Sequence, residues 1–212
     1  MKEDEIQDEL SSIRSLMERS SKFISLSGLS GVLAGVYALI GAGIAYQIIF
    51  RSGAPIDVHY EGRGGTGLVV NILTFAQLFL VALAVLVASL VTGLILTIRK
   101  AKQKGQRVWG TVSRQLFFNM AVPLVTGGLF MLVLVSRGYF GVIAPSSLIF
   151  YGLALVNAGN FTFTDVKYLG IGEILLGLLA ALLPGYGLLF WAIGFGVLHI
   201  VYGSIMYFKY DR

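Results

Sequence analysis

The sequence predicts an all-α, polytopic membrane protein with six transmembrane helices and an N-terminal amphipathic cytoplasmic helix. Three observations carry that expectation. Of 212 residues, 56% are hydrophobic and only 13% are charged, against about 25% charged in an ordinary soluble domain. Charge-free apolar runs recur between turn signals, most of them near the roughly 20 residues that cross hydrocarbon. Lys and Arg cluster on alternate sides of those runs, as the positive-inside rule requires. The 27 glycines fit the same picture, because small residues let helix backbones approach one another within a bilayer.

Residues 1–22 open the chain with an acidic stretch, Met1 to Glu9, and a stripe of Ile6, Leu10, Ile13 and Met17 at helical spacing. They predict an amphipathic helix lying on the membrane or the bundle, or a short coiled coil between protomers. The transmembrane domain is expected over 23–208 and a cytoplasmic tail over 209–212. Its first span runs from about Phe23 to Phe50, too long for a signal-peptide core and so a retained anchor. The second, Gly67 to Ile98, is closed by Arg99-Lys100, and the third, Gln115 to Ser136, by Arg137-Gly138. The fourth covers Val142 to Ala158. The fifth, Val166 to Leu183, is turned back by Pro184-Gly185, and the sixth, Tyr186 to Phe208, stops at Lys209.

With an even number of spans both termini share one side. That side collects thirteen of the sixteen basic residues, six of them in loop 99–114, and leaves only Arg51, Arg63 and Arg137 opposite. Both termini are therefore expected in the cytoplasm of a multi-pass cell-membrane protein. The basic loop serves topology and contact with anionic lipid headgroups. Membrane lipids and a second copy of the chain are the expected partners, and nucleic acid is not.

The sharpest chemical signal is Glu173. It stands in the run Tyr168 to Phe208, which holds no Lys, Arg or Asp. A carboxyl at that depth costs several kcal/mol unless it is paired, protonated or wetted, so it marks a candidate functional site. His199 lies in the same run. Trp191, Phe195, His199, Tyr202 and Met206 share one helical face about 80° wide. Gly187 and Gly194 border that face on one side, and Gly196 and Gly203 on the other. Glu173 is eleven residues before Pro184 and His199 fifteen after it. In an antiparallel hairpin that is a mismatch of four residues, roughly 6 Å at 1.5 Å per residue. A glutamate could bridge most of that distance, directly or through water. The competing arrangement has Glu173 protonated and bonded to a Ser, a Thr or a backbone carbonyl.

Other polar groups fall at membrane depth: Asn71, Thr74 and Gln77 on span two, Asn119 on span three, and Asn157 and Asn160 closing span four. Such groups tie helices together by hydrogen bonds, or line a cavity with Glu173. The candidate proton or ligand site is accordingly Glu173, His199, Tyr202, Trp191 and Asn157.

Loop residues Asp57, His59 and Glu61 alternate and read as a solvated loop. The glycines after them lack the Lys-Ser/Thr of a phosphate cradle. There is no cysteine and there are only two histidines, so no metal centre or cofactor is expected and no disulfide can form. Hydrolase and zinc-protease signatures are missing, and an intramembrane enzyme would rest on Glu173 and His199 alone.

The stretch Gly172-Glu-Ile-Leu-Leu-Gly-Leu-Leu-Ala-Ala-Leu-Leu-Pro184-Gly, followed by glycines 194, 196 and 203, resembles the hairpins of HdeD-like acid-resistance membrane proteins. Those are small six-helix bacterial proteins with a Pro turn between Gly-rich helices. The resemblance covers about 35 residues of this hairpin. It implies a bacterial inner membrane and stress physiology, and no binding residues. The amphipathic start, the long second span and His199 depart from the pattern. The leading expectation is a small membrane protein that moves or senses a small solute or proton near Glu173 and His199. A structural or regulatory protein acting through oligomerisation, and an intramembrane enzyme, are the alternatives.

Overall fold

The computed structural model describes Gln7, Ile13 and residues 27–52, 72–103 and 109–211. The expected helix over 1–22 (apart from those two residues), Asn71 and the loop carrying Asp57, His59 and Glu61 lie outside them. The described residues are all helix and turn, with six long helices: α1 Gly28–Ser52, α2 Ile72–Gln103, α3 Thr111–Ser136, α4 Ile143–Ala158, α5 Thr164–Leu182 and α6 Gly187–Asp211. A 3₁₀ turn, Phe140–Val142, leads into α4. Five of the helices are long and apolar enough to cross a membrane. The sixth, α5, carries Asp165, Lys167 and Glu173 within 19 residues.

The turns fall where Gly and Pro predict them. Gly138 and Gly185 take φ of +78° and +91°, a region that side chains disfavour, so each reverses the chain at little cost. Two helices outrun their expected ends. α2 passes through Arg99-Lys100 to Gln103, and α6 continues through Lys209 to Asp211, so residues 209–211 are not a separate tail. Basic residues are good helix formers, and both ends are held by side-chain bonds described below. At 32 residues α2 is about 48 Å long, well beyond a 30 Å hydrocarbon core.

α1 packs on both α2 and α6, α6 leans on α4 and α5, and α3 packs on α4. Two of these contacts are backbone to backbone. In the α4–α5 pair, a Cβ placed on Gly152 would meet the Gly170 oxygen at 2.6 Å, and one on Gly170 would meet the Gly152 oxygen at 2.7 Å. In the α1–α6 pair, Gly28, Gly31 and Gly35 face Gly203 and Gly196. Without lipid-excluded side chains to bury, such close approach is how membrane helices gain dispersion contact. Outside this centre the surface is apolar: Leu80, Leu90 and Leu94 on α2 and Phe117, Phe118 and Leu132 on α3 are all more than half exposed.

One end of the bundle is charged. Asp211 accepts a hydrogen bond from the Gly28 backbone N–H at 2.9 Å and from Ser27 Oγ at 3.3 Å, and pairs with Lys100. It therefore caps the start of α1 from the last turn of α6, placing a carboxylate at the positive end of the helix dipole. Next to it Lys209 and Tyr210 donate to Asp165 at 3.1 and 2.9 Å. Asp165 lies ahead of the run from Tyr168 that holds no Lys, Arg or Asp. Partial burial pushes its carboxyl up, but the bonds from Lys209 and Tyr210 outweigh that and hold it below its ordinary value.

Candidate functional site

The α4–α5 register sets the site. Gly170 sits against Gly152, and Gly177 against Pro145 and Ile149, so the intervening Glu173 comes level with Tyr151. From the other direction α6 presents His199. Glu173 is 0% exposed and His199 6%. Leu148, also 0% exposed, packs beside them.

His199 Nδ1 lies 3.4 Å from Glu173 Oε1. That is near enough for attraction, yet the geometry is not that of a hydrogen bond, and neither carboxyl oxygen has a hydrogen-bond partner among the described residues. The imidazole is better provided for. Nδ1 is 3.0 Å from the Gly194 carbonyl and Nε2 is 2.8 Å from Tyr151 Oη. The histidine is thus held at both nitrogens while its acidic neighbour is not.

Two local devices make room for this. Residues Ala192–Leu198 wind as a π-helix, which is uncommon and often found at functional sites. It brings the Gly194 carbonyl, five residues back, within reach of the His199 ring. Gly194 also supplies space. A Cβ there would collide with Glu173 Oε2 and lie 2.6 Å from Leu148 Cδ2. The carboxyl occupies the volume a side chain at 194 would take.

Glu173 and His199 lie 3.4 Å apart without the geometry of a hydrogen bond, and Tyr151, which sequence reading did not single out, bonds the same ring. Phe195 covers the cluster, with its ring 4.9 Å from Tyr151 and 6.0 Å from His199. Trp191 stacks one turn further along, 5.0 Å from Phe195, and does not reach the carboxyl. Tyr202 packs on the apolar cluster of Leu155, Ala158, Val166 and Leu169. Asn157 sits in the last turn of α4, six residues and about 9 Å along the helix from Tyr151. Trp191 is therefore an outer neighbour, and neither Tyr202 nor Asn157 bonds the Glu173 carboxyl. Asn119 bonds the Gln115 carbonyl of its own helix, Lys167 reaches Asn160 at 3.5 Å, Thr74 is buried and Gln77 is exposed. None of these bonds the Glu173 carboxyl. No group of three metal-ligating side chains occurs among the described residues.

No family model, curated protein or solved structure matches this chain.

Proposed function

We propose that this chain is a multi-pass membrane protein in which α5 is a sixth crossing, and that Glu173 takes up and releases a proton as the protein moves or senses a small solute. The observation that carries the reading is the carboxyl of Glu173: fully enclosed, without a hydrogen bond at either oxygen among the described residues, and 3.4 Å from His199. More than about 90% of buried polar groups in proteins find hydrogen-bond partners. A purely structural acid would be expected to satisfy its oxygens. An acid kept beside a basic ring in an apolar enclosure has the character of a titrating site.

Infrared difference spectroscopy of the protein in lipid, across the pH range in which it stays folded, tests this. A carboxyl band should appear and vanish with pH and be absent in Glu173→Gln. That variant should keep its helix content, because Gln preserves shape and the contact with His199. A pH-insensitive spectrum in the Glu173 region overturns the proton-site reading, and unfolding of Glu173→Gln would make Glu173 a structural partner of His199 instead.

The end at which Lys100, Asp165, Lys209 and Asp211 meet is proposed to face the cytoplasm, since the basic residues concentrate there. The chain has no cysteine of its own, so one introduced in place of Ser52, at the opposite end of α1, gives an unambiguous signal. A membrane-impermeant maleimide added to intact cells should label it. Labelling that requires access from the cytoplasm would invert the topology.

A further inference from the structure

We propose that Tyr151 is the proton-relay residue of the site: the Gly194 carbonyl fixes the tautomer of His199, so that protons reach Glu173 through the imidazole, entering at Nε2 from the Tyr151 hydroxyl and leaving from Nδ1. This rests on the reading of Glu173 as a proton acceptor.

The two hydrogen bonds of the ring decide the tautomer. A carbonyl oxygen can only accept, so the bond to Gly194 requires a hydrogen on Nδ1. In a neutral ring Nε2 then bears the lone pair, and the Tyr151 hydroxyl donates to it. Glu173 faces the nitrogen that already carries hydrogen. The ring can hand a proton to an ionised Glu173 at that atom but cannot receive one there. Uptake must occur at the far nitrogen, where Tyr151 stands.

The transfer balances without any group outside the cluster except water. A hydronium ion gives its proton to the Tyr151 oxygen as that hydroxyl passes its own hydrogen to Nε2. The ring, now protonated at both nitrogens, releases the Nδ1 hydrogen to Glu173 Oε1, 3.4 Å away, once a small rotation turns that hydrogen from the Gly194 carbonyl onto the carboxyl. Tyr151 is unchanged, one water is left, and Glu173 is neutral. The ring ends with hydrogen on Nε2 and a bare Nδ1 against the Gly194 oxygen, lone pair to lone pair. That opposition favours return of the proton, which keeps the exchange reversible.

The titratable groups facing His199 are few. Glu173 comes from α5 and Tyr151 from α4, and Tyr202 follows one turn on within α6. α1 meets this stretch of α6 with Gly31 and Gly35 and brings no charge.

The experiment combines two measurements on the full chain in lipid. Nitrogen-15 NMR of labelled histidine, in a His59→Gln background that leaves one ring, reads the tautomer directly. The Nδ1–H form is expected at the alkaline end of the titration, and finding the Nε2–H form overturns the proposal. Time-resolved infrared after a pH jump reads how fast the Glu173 carboxyl gains its proton. Tyr151→Phe keeps the ring against Phe195 and removes only the hydroxyl. It should slow uptake at least about tenfold, in line with the loss of a positioned proton-transfer group, and leave the titration midpoint where it was. Unchanged kinetics in that variant overturn the relay. If Glu173 fails to titrate in the parent protein, the fault lies with the proton-site reading itself. Should Tyr151→Phe not fold, the tautomer in the parent still decides.

Discussion

Gly203→Leu should lower the melting temperature of the purified protein more than Gly196→Leu, and both should fall well below Gly43→Leu. A Cβ on Gly203 would strike the Val32 nitrogen and come within 2.7 Å of the Gly28 oxygen, both backbone atoms of α1. Nothing there can rotate aside, so α1 and α6 must separate along the contact. At Gly196 the obstacle is the end of the Leu39 side chain, which can change rotamer. Gly43 has open space within 4 Å and serves as the control. Overpacking of a close interface costs about 1–3 kcal/mol and more when only backbone can yield, a large share of a stability of roughly 5–15 kcal/mol. Thermal unfolding in detergent, followed by tryptophan fluorescence, measures the order. Three equal melting curves would mean that α1 and α6 are not in contact along their glycine faces.

Gly194→Ala should be nearly as damaging, for a different reason. The new methyl group would occupy the place of Glu173 Oε2 and press on Leu148, itself fully buried. Either the carboxyl leaves its enclosure or α5 and α6 move apart. Destabilisation of about 1–3 kcal/mol is expected, together with a shift of the Glu173 carboxyl band in the infrared. A double-mutant cycle isolates the cause. Glu173→Ala vacates the volume, so adding Gly194→Ala to it should cost much less than adding it to the parent chain. Strictly additive losses would show that the methyl clashes with something other than the acid.

Much of this architecture is legible in the residues. Apolar runs and the turns at Arg137-Gly138 and Pro184-Gly185 locate the helices because lipid permits few other arrangements of backbone. The two sides of the α6 stripe are legible as well: Gly196 and Gly203 do face α1, while Gly194 faces Glu173. The Glu173–His199 contact is closer than the four-residue mismatch implies. The π-helical stretch at 192–198 holds more residues per turn than an α-helix, so His199 lies nearer the turn than α-helical counting places it. No local sequence rule announces that stretch. Tyr151 was hidden for another reason. It comes from α4, which is not adjacent in the chain to the α6 that carries His199, and periodicity within each helix does not say how non-adjacent helices are rotated against one another. The same holds for Asp211, whose partners Gly28 and Lys100 lie far off along the chain.

That clasp also dictates an order of assembly. Gly28 and Asp211 are 183 residues apart, and the whole α1–α6 glycine contact spans nearly as much chain. A ribosome finishes α1 through α5 before α6 exists, so α1 waits in the bilayer with its close-packing face filled only by lipid and its first turn uncapped. The α4–α5 hairpin, by contrast, joins neighbours and can close while synthesis continues. Formation of the bundle is therefore governed by its slowest, most non-local pairing.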